Sequence, residues 1–347
     1  MLNKSSKKAQ IEISFNWIFV LIAGAIILFF FIRVINSEVE MGESASQSRT
    51  VVRMNSLLSA IQQNPDSVTD RYIFNYELEF ECELGRHAYG VAGSSTKPDL
   101  PHQILFSPEI IGDSRIIAWV KTFNAPFPLA STLYITDEKT QYVFITNSDL
   151  NNRMTYYYNL FPNNISKKLT TLENFVSEGD QGYRRYILII NDAATGQIFS
   201  FGNNRFAAKV PYIVALNEGQ KEIIFYEFGQ FNFLNPSEST TKEYFTEESI
   251  IGAMITGNPD LYECTMTKML EQLRITADIN KERIARLYTA YPQGHSCTTM
   301  YSTISQNHFG NMSDAAKTKD YVELKDSYDE IRALNSRILR TSCVSIY

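Results

Sequence analysis

One stretch near the start of the chain limits every other reading. Residues 15–35 run FNWIFVLIAGAIILFFFIRVI, and 17–32 form an unbroken apolar run. As a helix, about 20 mostly apolar residues cross the hydrocarbon core of a bilayer, and this stretch supplies 21. A buried core helix and a cleaved secretory signal are the competing readings. A core helix seldom carries apolar residues all the way round. A signal's apolar region is usually about 7–15 residues and ends at a small-x-small site; here Gly42 to Ala45, where a cut is conceivable, lies well beyond the run. The expectation is an uncleaved transmembrane helix over 15–35, with Trp17 at one interface and Arg33 snorkelling to the other.

Flanking charge sets an orientation. Lys4, Lys7 and Lys8 precede the run with Glu12 as the lone acid, whereas Glu38, Glu40 and Glu43 follow it. Lysines on a short tail favour its retention on the cytoplasmic side. No second apolar run of this length appears in the sequence. The chain is therefore expected to be single-pass in the plasma membrane: residues 1–14 a cytoplasmic tail, 15–35 the span, and the C-terminal portion extracellular. Residues 36–63 lack proline, carry one glycine (Gly42) and place Val39, Met41, Val51, Val52, Met54, Leu57, Leu58 and Ile61 at mixed helical spacing, which permits a stalk helix. Asn64-Pro65-Asp66 should end it. Such a helix needs a partner for its apolar stripe, either the chain's own body or another subunit, so a homo- or hetero-oligomer through the stalk is one reading.

The remaining residues suit a folded body. Of 347 residues, 44% are hydrophobic and 20% charged, with 20 Tyr and 22 Phe, a composition that is globular rather than disordered. The net charge of −6 argues against a nucleic-acid partner, whose phosphates demand clustered cations. Strands are expected at 72–81, 115–124, 131–137, 141–147, 183–192, 197–202, 210–217 and 221–228, with a hairpin turn at 217–219. Helices are expected at 149–161 and 167–178, making 141–192 a βαβ-like unit. After Pro236 the texture becomes helical: a short capped helix, a long one over 260–291, and further stretches at 296–306 and 314–339. The fold class is α+β, or α/β: a mixed body over 64–235 and a C-terminal region over 236–347 built as an antiparallel helical hairpin.

Four cysteines, Cys82, Cys264, Cys297 and Cys343, permit two disulfides in an extracytoplasmic domain. A 260–291 helix is about 45 Å long, which separates Cys264 from Cys297. If 314–339 returns along it, Cys343 comes back to Cys264. The favoured pairs are Cys264–Cys343 and Cys82–Cys297; a kinked helix would restore Cys264–Cys297. His87 and His295 flank two of these cysteines and would complete a Cys2His2 zinc site, although the spacing is not that of a zinc finger. His102, His308, Lys167-Lys168 and Arg184-Arg185 read as surface residues, and Glu77, Glu79, Glu81 and Glu83 as the solvated face of a strand rather than a calcium site. The sequence has no nucleophile elbow, zincin helix, Walker loop or dinucleotide fingerprint, so no catalytic, cofactor-binding or metal-ligating residues are assigned and no cofactor is expected. Asn164-Ile-Ser and Asn311-Met-Ser are sequons in expected loops, hence candidate glycosylation sites.

The opening KKAQIEISFNWIFVLIAG resembles the N-termini of archaeal single-pass surface proteins with type IV pilin-like, class III signals. Lys7, Lys8, Ala9 and Gln10 match that group's basic tail and cleavage-site neighbourhood, which implies a processing site at Ala9 and Gln10. Glu12 and Ser14 stand in the reverse of the group's usual Ser-then-Glu order. The segment SIIGAMITGNPDLYEC at 249–264 resembles uncharacterised membrane-anchored proteins of small-genome archaea. Both resemblances imply location and architecture, and no activity. The expected function is that of a non-enzymatic, membrane-anchored extracellular surface protein, a pilin-like subunit or accessory of a surface assembly. The alternative is an anchored enzyme or ligand-binding receptor with a cleft in the α/β body.

Overall fold

The structure, a computed structural model, describes residues 6–347 apart from 64–67, 74–75, 84, 95–96, 101–103, 113–114, 147–150, 178–181, 191–211 and 228–238. The strand expected at 197–202 lies outside the described residues. The chain divides into two compact units, Met1–Arg53 and Met54–Tyr347.

A continuous helix, α1 (Ser6–Gln62), covers the stretches read as span and stalk. It contains no proline, and it stops just ahead of Asn64-Pro65, where the residue before a proline is pushed out of helical geometry. Its last turns present Met54, Leu57, Leu58 and Ile61, all buried, at the i, i+3, i+4, i+7 spacing of a single face. The body thus takes up this part of the apolar stripe. Among the described residues no helix is long and apolar enough to cross a membrane, so the structure does not support the transmembrane helix expected at 15–35. The side chains described there are those of 20–34, a run shorter than the about 20 residues a span needs. They are exposed: Leu21 is 68% and Phe29 65% accessible.

The second unit is mixed α+β. In chain order it holds β1 (Val68–Ile73), β2 (Leu78–Glu83), β3 (Arg86–Val91), β4 (Asp99–Leu100), β5 (Ile104–Phe106), β6 (Ile110–Ile111), β7 (Arg115–Asn124), β8 (Pro128–Asp137) and β9 (Thr140–Thr146). Then follow α2 (Asn151–Leu160), β10 (Lys167–Thr171), α3 (Leu172–Ser177), β11 (Arg184–Ile190), β12 (Tyr212–Asn217), β13 (Glu222–Glu227) and β14 (Ser239–Glu243). Five helices close the chain: α4 (Glu247–Thr256), α5 (Pro259–Ala290), α6 (Ser296–Met300), α7 (Thr303–Thr318) and α8 (Tyr321–Ile338). The strands form sheets ordered β1-β7-β8-β5, β4-β3-β2-β6 and β10-β9-β11-β12-β13-β14. The single strand expected at 72–81 is instead β1 and β2, which belong to different sheets.

The six-stranded sheet is the α/β part. β10, β9, β11 and β12 run parallel, and β13 and β14 add antiparallel edges. The chain leaves β9 through α2 to reach β10, then crosses back through α3 to β11 on the other side of β9. Alternate residues feed two cores. Tyr142, Phe144, Tyr186, Leu188, Val214 and Leu216 join the main cluster with Met154 of α2 and Phe161 just past its end. Val143, Ile145, Ile187, Ile189, Ile213 and Ala215 pack with Phe175 of α3. Burial on both faces explains why YILII reads as continuously apolar rather than alternating. The expected 167–178 helix is corrected here: Lys167–Thr171 is a strand, with Leu169 paired to Phe144, and only α3 is helical.

The C-terminal helices also depart from expectation. The hairpin is a three-helix run, α5–α7–α8, with α6 as a short connector. Lys319 at the end of α7 lies 3.3 Å from Glu263 near the start of α5, so those two are antiparallel. α8 turns back again, and its far end approaches the far end of α5, where Arg283 donates to the Ser345 carbonyl at 3.2 Å. The main core joins these helices to the six-stranded sheet and to the β1-β7-β8-β5 sheet.

Candidate functional site

The C-terminal ends of the parallel strands are where an α/β sheet gathers functional groups. Here α2 begins just past the end of β9, and its side chains reach the end of β12. The Tyr157 hydroxyl donates to Glu218 at 2.6 Å, and Arg153 pairs with the same carboxylate. The expected 217–219 turn is longer: β12 and β13 pair from Asn217 with Glu222. The Asn217 side-chain Oδ1 accepts from the Gln220 backbone N–H at 3.3 Å, and Lys221 takes a positive φ of 60°. The chain then leaves β14 through Tyr244, Phe245 and Thr246. Ser249 Oγ accepts from the N–H groups of Phe245 and Thr246 at 3.3 and 3.1 Å, which fixes that linker against the start of α4.

α8 supplies the opposite wall. Asp320 caps it, accepting from the N–H groups of Val322 and Glu323. Tyr321, Lys325, Tyr328 and Asp329 follow at i, i+4, i+7 and i+8, which places them on one face. Between these elements lies a cleft of about 430 Å³, within the range of small-molecule sites. Its rings are Tyr157, Tyr244, Phe245, Tyr321 and Tyr328. Phe245 and Tyr328 meet edge to face at 5.7 Å, and the Lys221 ammonium sits 5.4 Å over the Tyr244 ring. Burial pushes the Tyr244 phenol up to about 12, with Tyr157 adding to the effect. Burial likewise raises Tyr157, and it raises Tyr321, helped by Glu243 and Glu263. These phenols therefore stay protonated and serve as neutral donors and acceptors at ordinary pH.

Two of the lining carboxylates, Glu247 and Glu248, are tied to neighbours. Lys121 lies 3.3 Å from Glu248, and Tyr156 donates to Glu247. A second hollow, of about 630 Å³, is lined among the described residues by α5 alone, so no polar groups from other elements converge on it.

The cysteines form two bridges, Cys82–Cys264 and Cys297–Cys343, with Cα separations of 5.8 and 5.6 Å. The expected pairs Cys264–Cys343 and Cys82–Cys297 are thereby overturned. That expectation assumed one returning helix; there are two, so Cys343 arrives beside Cys297 and not beside Cys264. The Cys2His2 arrangement fails for the same reason. Cys82 and Cys297 are held at opposite ends of a helix about 48 Å long. His87 faces Cys82 across β2 and β3, its Nε2 3.7 Å from the sulfur. Burial, and then Lys268, lower its pKa to about 3. Among the described residues no group of His, Cys, Asp and Glu is placed to hold a metal ion.

The remaining candidates are scattered. Asn164 lies in the exposed turn between α2 and β10. Asn311 sits inside α7, not in the loop expected, with Ser313 buried. Ala9 and Gln10 are helical in α1, and their side chains lie outside the described residues, as do His102 and the side chains of Arg184 and Arg185. His308 approaches Glu330 at 3.9 Å. Lys167, read as solvated, instead donates to the Tyr158 and Phe161 carbonyls at the end of α2. Lys97 binds Glu79 at 2.8 Å and also Glu81 on the solvated side of β2. Comparison with protein-family models, curated proteins and solved structures finds no match for this chain.

Proposed function

We propose that this chain is a membrane-anchored extracellular surface protein whose body serves binding or assembly rather than catalysis. The observation that carries the reading is the exposed apolar surface of α1. Over 20–34 the side chains of Val, Leu, Ile and Phe are 40% to 68% accessible, and a contiguous apolar surface of that kind calls for lipid or a partner. The lysines at 4, 7 and 8 favour the cytoplasmic side for the residues before the run. Two bridges, with no free cysteine left, suit an oxidising exterior. The glutamates near the cleft, Glu248, Glu247 and Glu218, are occupied by Lys121, Tyr156 and Arg153, and this supports binding over acid–base chemistry by those groups.

The resemblance to pilin-like N-termini extends the proposal to a subunit or accessory of a surface assembly, processed next to Ala9 and Gln10 and associated through the helix after the span. The cleft at the strand ends favours a second reading, a surface receptor. Alkaline carbonate washing of membranes tests the anchor: the full chain stays with the pellet, and a variant lacking 15–35 is released. Release of the full chain would overturn the reading. Crosslinking in native membranes should give higher species, and monomer alone would remove the assembly proposal. A mature N-terminus unchanged by substitution of Ala9 and Gln10 would remove processing there.

A further inference from the structure

We infer that the cleft between α2, the β14–α4 linker and α8 binds a neutral, polyhydroxylated ligand, an oligosaccharide.

The balance of charge is the first argument. Glu247, Glu248 and Asp329 are the acids of its lining, and Lys221 and Lys325 the bases. Glu248 is already neutralised by Lys121 at 3.3 Å. The remaining two carboxylates and two ammonium groups cancel, so the cleft has no net pull on a phosphate or on a polycation. The second argument is the surface itself. Aromatic residues from three separate elements line it; Tyr157 and Tyr244 are buried, whereas Phe245, Tyr321 and Tyr328 are half-buried, and the accessible part of such a ring is complementary to the apolar C–H face of a sugar. The phenols of Tyr244 and Tyr321, protonated as argued above, present neutral hydroxyl groups of a kind that pairs with sugar hydroxyls in either direction, while Tyr157, which donates to Glu218, keeps acceptor capacity. The third is the spread of donors and acceptors. Lys325 and Asp329, one turn apart on α8, offer an ammonium donor and a carboxylate acceptor beside Tyr328, and Asn124 adds an amide from the opposite side. Among the described residues neither Lys325 nor Asp329 has an ion-pair partner, so both are available to a ligand. A polyol uses both kinds of group around its ring, whereas an anion or a cation uses one.

This inference concerns the body and does not depend on the membrane anchor; failure of one leaves the other standing. The test uses the full chain, both disulfides intact, in a polyoxyethylene detergent, because glycoside detergents would compete. Saturation-transfer NMR and calorimetry are run with three probes: neutral oligosaccharides presented free and on an array, a lysine-rich peptide, and inorganic phosphate. The expected result is saturable binding of at least one neutral oligosaccharide alone, weakened about tenfold or more by Tyr328→Ala and by Asp329→Asn. Competition by the free sugar separates recognition of the sugar itself from recognition of a glycan attached to a carrier. Asp329→Asn alters an exposed side chain of α8, so its effect is not one of folding. Binding of the peptide or phosphate in preference, no binding of any neutral sugar, or sugar binding indifferent to both substitutions would overturn the inference.

Discussion

Gly252 shows how much a single position can carry. It lies in the middle of α4, where glycine costs about 1 kcal/mol relative to alanine. A Cβ there would stand 2.5 Å from Phe106 Cε1. The Phe106 ring is fully buried and stacked on Tyr134 at 5.6 Å and Tyr262 at 6.2 Å, so it has nowhere to go. Gly252→Ala should therefore destabilise the body by about 1–3 kcal/mol despite the better helix propensity, read as a lower urea midpoint with the disulfides intact; an unchanged or higher midpoint would contradict this packing. His87 makes a different prediction. Its folded pKa of about 3 lies below the unfolded value near 6.5, so between those values the unfolded chain binds the extra proton. Stability is complete above about pH 6.5 and falls as the pH drops toward 3. His87→Phe should flatten that part of the acid limb, measured as urea midpoint against pH. Lys268 works at the other end: buried, donating to the Leu100 carbonyl at 2.8 Å, its pKa is lowered to about 8. The unfolded lysine holds its proton to higher pH. Relative to Lys268→Met, the native chain should therefore gain stability as the pH rises from 8 toward 10. The aromatic richness of the sequence was plain, but which tyrosine meets which was not, because a ring contact between residues such as Phe106 and Tyr262 leaves no trace in either neighbourhood.

At the scale of elements, periodicity served where one face decides burial. β7, β8, β9, α2, β11 and α5 fall within a few residues of where apolar spacing puts them, and the parallel βαβ unit follows from them. The middle of α7 was missed because residues 307–313, NHFGNMS, carry Gly310 and two asparagines, which read as a loop between the helical stretches at 296–306 and 314–339. The helical signal was nonetheless there: Phe309, Met312 and Ala316, all buried, recur at three and four residues. Missing α7 reversed the direction of α8 and so exchanged the disulfide partners. A non-reducing peptide map should recover Cys82–Cys264 and Cys297–Cys343. Replacing Cys297 and Cys343 together by serine should cost about 2–4 kcal/mol, with protection lost first in the segment after α8, where Tyr301 donates to the Val344 carbonyl. Recovery of Cys264–Cys343 would mean that α7 and α8 are placed wrongly. β10 was misread because KKLTT alternates too briefly to show its pairing, which is set by the edge of β9.

At the scale of the whole molecule, the sequence and structure differ in what they reveal. The apolar run near the start is legible at once, because hydropathy over about 20 consecutive residues is a local property. The cleft is the opposite case. Its walls come from positions between 124 and 329, brought together by a sheet, a linker and the third helix of a run whose direction depends on the second. No local motif could announce it. The central claim is that the lysines before the run face the cytoplasm and the body faces outside. Labelling intact cells with a membrane-impermeant amine-reactive biotin, followed by peptide mapping, tests this most directly. The account predicts modification at the exposed Lys139, Lys221 and Lys325 without permeabilisation, and at Lys4, Lys7 and Lys8 only after it. Label on Lys4, Lys7 and Lys8 of intact cells, with the body lysines unmodified until the membrane is opened, would contradict it.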